Sequence, residues 1–243
     1  MSSPFFRFWF ALLLLTCQPA LAEKALVFNT AAQPPLHKLD GTGFIDRLLH
    51  EVGARIGQPI VVVGLPPERA IRDANDGLSD GDAYRIGGLE NTYANLIQVP
   101  VALAEMRFSA FSMQRGLQVK DWADLRNHSV AFITGWKIFE ANVTEAKSLL
   151  TVLNADQLFL LAKRGRADVV LFSLWPGAAI LKTKGWTDIQ SLEPPLSIRD
   201  MYLYVHEKHR DLVPEIAAAL GEIKEDGTHQ ALFDQIMAPI LND

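Results

Sequence analysis

The sequence predicts an α/β protein of two lobes, each a mostly parallel sheet flanked by helices, with a cleft between them. Three observations carry this. One phrase occurs twice: an amphipathic stretch that closes on Gly, then an Asp, then an apolar run. The first copy runs from Arg69-Ala70-Ile71 through Gly77 to Asp82-Ala83, and the second from Leu158-Phe159-Leu160-Leu161 through Gly165-Arg166-Ala167 to Asp168-Val169-Val170-Leu171-Phe172. Each copy also follows a strand-like run, Ile60-Val61-Val62-Val63 or Val130-Ala131-Phe132-Ile133. Gly suits the left-handed residue that ends a helix, and a continuous apolar run suits a strand buried on both faces, so each copy reads as a βαβ unit. Finally, Met201-Tyr202-Leu203-Tyr204-Val205 is a further strand after the second copy. It belongs with the first lobe, so the second lobe is inserted and the chain crosses between lobes twice, on near-parallel strands that form a hinge. Open α/β sheets bind ligands outside the carboxyl ends of their strands, which makes a cleft lined from both lobes the default site.

The remaining elements follow in order. Ala25-Leu26-Val27-Phe28 is the first strand, and Gln33-Pro34-Pro35 an extended loop, because prolines disfavour helix there. Phe44, Leu48, Leu49, Val52 and Ile56 recur at helical spacing and Gly57 closes that helix. Pro66-Pro67-Glu68 opens the next, with proline and an acid in its first turn. Leu96-Ile97-Gln98-Val99 and Phe108-Ser109-Ala110-Phe111 alternate as strands do. Asp121-Trp122-Ala123-Asp124-Leu125 is a short helix before the strand at Val130, and Leu212 to Leu241 is helical with a break at Gly227.

Met1 to Ala22 has one early cation, Arg7, the apolar run Phe8 to Leu15, and the small-x-small end Ala20-Leu21-Ala22. This is the layout of a cleavable secretory signal, and the run falls short of the ~20 apolar residues of a membrane span. The mature chain is expected to start near Glu23 in the periplasm. Cys17 lies inside the signal, which leaves the mature chain without thiol chemistry; Thr16 is a poor residue before a lipidated Cys. With 23 basic and 28 acidic residues, a formal net charge of −5 and no basic block, nucleic acid is excluded as a partner. The 49% apolar content argues against disorder.

The series Gly43-Phe44, Leu96-Ile97-Gln98-Val99-Pro100, Asp121-Trp122-Ala123-Asp124-Leu125 before a strand and Gly135, Gly165-Arg166-Ala167-Asp168, and Lys224-Glu225-Asp226-Gly227-Thr228 resembles the family 3 extracytoplasmic solute-binding proteins, the periplasmic receptors of polar amino acid ABC importers. The resemblance spans nearly all of the chain after Ala22. It implies a two-lobe type II periplasmic-binding-protein fold, with lobe 1 at 23–107 and 203–243 and lobe 2 at 108–202. It also implies a monomer that captures a small molecule without a cofactor and hands it to an ABC permease or a membrane sensor.

Carried over position by position, the ligand site departs from the family pattern. Where the family holds the ligand's α-carboxylate with an Arg before the strand at Leu96, the nearest residue is Tyr93; where it holds the α-ammonium with an Asp, the residue is Ser173. An ammonium loses a charge-assisted partner worth about 1.5–3 kcal/mol per hydrogen bond. The aromatic position thirteen residues before Asp82 is Arg69. Arg85 follows that Asp at the strand edge, and Lys137 follows Gly135-Trp136 at a helix start. Arg forks match carboxylates and phosphates, so the expected ligand is a small anion, closed over by cations that burial would otherwise leave unpaired. The alternative is that Arg69 and Arg85 are solvated and pair with Glu68, Asp73 or Glu90. Gln33 in the first loop and Trp136 complete the candidate set. Loss of Arg85 is expected to weaken binding and spare the fold.

An enzyme on the same scaffold, of the cyclohexadienyl dehydratase kind, is the rival reading. It would require Glu90 or Glu105 to be buried with a raised pKa. No Gly-x-Ser-x-Gly, phosphate loop or metal-like His spacing supports catalysis, and His206 and His209 read as a turn. A non-enzyme is expected.

Overall fold

The computed structural model describes residues 24–241, so the secretory-signal reading of Met1 to Ala22, with Cys17, lies outside the described residues. In the first part of the chain β1 (Leu26–Thr30), α1 (Phe44–Ile56), β2 (Ile60–Gly64), α2 (Pro67–Asn75) and β3 (Gly81–Ile86) alternate, and β1 pairs parallel with both β2 and β3. The short β4 (Leu96–Gln98) precedes the crossing strand β5 (Ala104–Ser112). In the second part β6 (Ser129–Ile133), α3 (Lys137–Asn142), β7 (Ser148–Val152), α4 (Ala155–Lys163) and β8 (Val169–Ser173) repeat the pattern, with β6 parallel to both β7 and β8. α5 (Leu174–Lys184), β9 (Gln190–Ser191), the returning strand β10 (Ser197–His206), α6 (Leu212–Glu225) and α7 (Thr228–Ile236) complete the chain.

β10 opposes β3 and β4, and β5 opposes β8 and β9, so in each lobe only the crossing strand runs against the rest. The two crossing strands pair with each other, antiparallel, from Ser197 opposite Phe108 to Met201 opposite Ala104. Beyond that ribbon each lobe has its own core. Phe28, Phe44, Leu48, Leu49, Ile216 and Leu220 are fully buried in the first. The second is packed on both faces of β6 and β8, with Phe159 and Phe172 on one side and Phe132 and Phe139 on the other. Each buried Phe contributes roughly 1.5–3 kcal/mol of apolar burial.

α1 has the bounds that its periodicity requires and ends on Gly57 at φ 73°. Three elements escaped the sequence reading, β7, α5 and the two-residue β9. β7 lacks an alternating pattern. α5 carries Pro176 and Gly177, two residues that do not read as helix. Pro176 sits in its first turn, where no backbone donor is needed. At Gly177 a Cβ would lie 2.5 Å from Cζ of Phe111, so only Gly lets α5 approach β5. Trp175, in the first turn of α5, is buried in the first lobe's core, edge-on to Phe233 at 5.2 Å.

The repeated phrase has a different register from the one the sequence suggested. Asp168 accepts the Ser129 amide at 2.8 Å, and its own amide donates to the Ser129 carbonyl at 2.9 Å. In lobe 1 the residue that does this is Asp80, bonded both ways to Val27 at 2.8 Å. Gly77-Leu78-Ser79-Asp80 is therefore the counterpart of Gly165-Arg166-Ala167-Asp168. Asp82 stands two residues further on, opposite Asn29, level with Val170 opposite Ala131.

Candidate functional site

Strand register fixes where the two sets of carboxyl ends meet. β3 ends at Ile86, opposite Met201, which is itself opposite Ala104 on β5. β8 ends at Ser173, opposite Phe108, which faces Ser197 on β10. Both ends thus reach the crossing ribbon, one at each end of the segment from Ala104 to Phe108, about 13 Å apart at ~3.3 Å per residue. The carboxyl ends of both lobes converge on the interlobe space, the placement that open α/β sheets use for ligands.

On the lobe 1 side the chain departs from regular strand geometry. Tyr84 has φ 66°, and the pairing of β3 with β10 slips there: Ala83 faces Leu203 and Arg85 faces Tyr202, with Tyr84 as the extra residue of a bulge. Arg85 donates from Nε to Oδ2 of Asp82 at 2.6 Å and from Nη2 to the Pro67 carbonyl at 2.8 Å. Asp82 is fully buried, and its Oδ1 has no partner among the described residues. Burial pushes its pKa up to about 6 against the pull of the Arg85 guanidinium. Arg69, two residues beyond Pro67, is 69% exposed and donates to Asp73 at 3.3 Å along the outside of α2. Counted from Asp80, the true counterpart of Asp168, the thirteenth residue back is Pro67 and not Arg69, which removes the register that placed Arg69 in the cleft. Tyr93 is half-buried against the cluster of Ile71, Ala74, Leu96 and Tyr204, a packing position.

On the lobe 2 side Gly135 has φ 89° and leads into α3, which is too short to act as an anion site by its dipole alone. Trp136 is half-buried, stacked on Phe139 with ring centroids 5.4 Å apart and tilted against Phe172 at 4.9 Å. Lys137 is 85% exposed and paired with Glu140 at 2.7 Å. Glu140 also accepts the Gly135 amide, and these bonds hold its carboxyl below the usual range. Ser173 is buried, and its Oγ has no hydrogen-bond partner among the described residues. The first loop meets the second lobe directly: Gln33 and Pro34 line a cavity of about 260 Å³ with Ala179, Ile180 and Thr183 of α5. A larger hollow of about 460 Å³, between Lys38 and Val62, lies off the carboxyl ends.

Arg69, Arg85 and Lys137 each already have a carboxylate in their own lobe. The expectation that closure would bury unpaired cations therefore fails, because the counter-charges are built in. The solvated alternative holds for Arg69, which pairs with Asp73 as that alternative named, while Arg85 is tied to Asp82, a partner that sequence reasoning missed. Two further features were missed, the bulge at Tyr84 and the docking of Trp175; the one available signal was a charged pair, Asp82 and Arg85, inside a strand that should read as apolar. Glu90 and Glu105 are both exposed, short of the burial that a general acid requires. His209 binds Asp80 at 2.7 Å, and no cluster of three metal-binding side chains occurs among the described residues. No described helix is long and apolar enough to cross a membrane.

Two α/β lobes on a two-stranded crossing ribbon, the second inserted in the first, define the type II periplasmic-binding-protein fold. No protein-family model matches the sequence, and no curated protein does. Solved structures do. The chain is similar to the GluR0 ligand-binding core in complex with L-glutamate (14% identity, TM-score 0.76, 89% of this chain and 99% of that one). A histidine kinase sensor domain with similarity to periplasmic binding proteins is matched at 15% identity and TM-score 0.73, over 89% of this chain and 97% of that one. The amino acid ABC transporter substrate-binding protein AbpA from Streptococcus pneumoniae, bound to L-arginine, is matched at 13% identity and TM-score 0.71, over 90% and 97%. At these identities the likeness establishes the fold.

Proposed function

We propose that this protein is a periplasmic solute-binding protein that captures a small polar molecule with an acidic group in the interlobe cleft, for delivery to an ABC importer. The observation that carries this reading is the convergence of both sets of strand ends on the crossing ribbon, with Arg85 standing at the end of β3. Binding rather than catalysis is supported by two of the similar structures, which are complexes with L-glutamate and L-arginine, and by the exposure of Glu90 and Glu105. The similar histidine kinase sensor domain favours a second reading, in which the same capture feeds a membrane sensor. We take residues up to 107 together with those from 203 onward as one moving body and 108–202 as the other. The ribbon between Ala104 and Phe108 is the hinge.

In this reading Arg85 grips the ligand's acidic group and Gln33, Trp136 and Ser173 form the walls brought together on closure, while Arg69, Tyr93 and Lys137, the other residues of the candidate set, stand outside the contact. Calorimetry on the secreted form with carboxylates, amino acids and sugar acids, paired with small-angle scattering, tests it. A carboxylate with net negative charge should bind more tightly than lysine, arginine or neutral amino acids and should compact the particle. Tight binding of a cationic amino acid would refute the anion preference. No compaction by any compound of a broad metabolite panel would refute capture itself.

A further inference from the structure

We infer that the bulge at Tyr84 is a positioning device, and that Asp82 is the positioning residue which holds the Arg85 guanidinium rigid, with its two-pronged end left open for a carboxylate. What the arm grips rests on the proposed function, whereas the arm itself does not. In a regular strand, residues three apart point to opposite faces, so Asp82 and Arg85 could not meet. Here Asp82 lies opposite Tyr204 and Arg85 opposite Tyr202, and those tyrosines, two apart on β10, share a face. The extra residue at Tyr84 is what carries Arg85 round to the side of Asp82.

The device works against stability in two places, which argues that it is kept for function. A bulky residue at φ 66° is an outlier, and Tyr84 is held there by burial beside Ala83, Met201 and Leu203 and by a bond from its hydroxyl to the Glu105 carbonyl at 3.0 Å. Asp82 is a fully buried carboxylate with one oxygen unpartnered, at a level where lobe 2 has Val170. The result is an arginine fixed on two elements, through Nε to Asp82 on β3 and through Nη2 to Pro67 at the start of α2. Nη1 and the second Nη2 hydrogen have no partner among the described residues. That end matches the two oxygens of one carboxylate.

The side-chain Nε–Hε signal of Arg85, assigned by its loss in Arg85→Lys, reports the arm without any ligand. In the wild-type protein at pH 7.5 it should exchange slowly with solvent and be as rigid as the β3 backbone amides. Asp82→Asn should speed that exchange by tenfold or more while the β3 amides stay protected. Tyr84→Gly keeps the positive φ and should keep the slow signal, whereas deletion of Tyr84 restores alternation and should abolish it. An Arg85 signal as protected in Asp82→Asn as in wild type overturns the role of Asp82. Loss of the signal in a folded Tyr84→Gly variant, or its survival in a folded deletion variant, overturns the role of the bulge. If the deletion variant does not fold, the other two variants decide. Failure of every carboxylate to bind would defeat the proposed function and leave this result standing.

Discussion

The two lobes start their central strands in the same way and then diverge. Asp80 and Asp168 tie the entry of β3 and β8 to β1 and β6 with the same pair of bonds, the carboxylate accepting the neighbouring strand's amide and the aspartate amide donating to its carbonyl. Two residues later lobe 1 has buried Asp82, a strained Tyr84 and half-buried Arg85, while β8 runs Val-Val-Leu-Phe to Ser173. Electrostatics follow the same split. Asp168 is held below the usual range by the Ser129 hydroxyl and amide, whereas burial lifts Asp82 to about 6. β8 is built for stability; β3 gives up regularity at the end that faces the cleft. The difference teaches that the polar exception inside a repeated frame marks the candidate site better than the repeat does.

The largest expected effect strikes the ion pair that only lobe 1 has. Arg85→Ala leaves Asp82 buried without a partner and should cost about 3–5 kcal/mol in urea unfolding at pH 7.5. This corrects the sequence expectation that Arg85 could be removed without harm to the fold. Changing both partners, Asp82→Val with Arg85→Leu, should recover most of the loss by making β3 resemble β8. An Arg85→Ala variant as stable as wild type would mean that the pair is no more than a surface contact.

Next comes pH. Asp82 has a folded-state pKa of about 6 against an ordinary value of 3.8, so between these values the native state holds the proton more tightly than the unfolded chain does. Its contribution to stability is greatest below about pH 4 and falls as pH rises to 6, by about 3 kcal/mol. Asp80 and Asp168, both depressed, act in the opposite sense: their contribution is present above the unfolded value and is lost on acidification. Thermal melts of wild type and Asp82→Asn across pH 4 to 7 should therefore diverge in slope over this window. Parallel curves would place Asp82 in contact with solvent.

The shared part of the frame yields smaller and matched effects. Asp80→Ala and Asp168→Ala each remove a strand-entry bond and neighbouring side-chain bonds, from His209 and Lys208 in one case and from Ser129 and Gln114 in the other. Each should cost about 1–3 kcal/mol, and a large inequality in chemical denaturation would break the equivalence of the two positions. Arg69→Ala and Lys137→Ala should change stability least, by less than about 1 kcal/mol, because both ion pairs are solvated. If either abolishes ligand binding at unchanged stability, the cleft extends to that cation.

Several elements were legible because their cause is local. α1 could be bounded from Phe44 to Ile56, since its apolar spacing and the Gly that ends it lie within the segment itself. The parallel strands at Val130 and Val169 could be read because strands covered on both faces need unbroken apolar runs, and the run at Ile60 is as apolar although β2 is an edge strand with Val61 and Val63 exposed. The break at Gly227, φ 83°, also follows from one residue's freedom. The sequence by itself therefore determined two βαβ frames, an inserted lobe and a cleft. The tertiary structure alone decided what lines it. Arg85 meets Asp82 because β10 pairs across β3 with a slip at Tyr84, Trp175 leaves its own lobe because Phe233 offers a face on α7, and Asp80 replaces Asp82 as the counterpart of Asp168 because Val27 is the strand neighbour that needs the bond. Periodicity records which face a residue shows within its own strand. A bulge, a docking contact and a strand-entry bond depend on a partner distant in the chain, and no local pattern carries that partner's register.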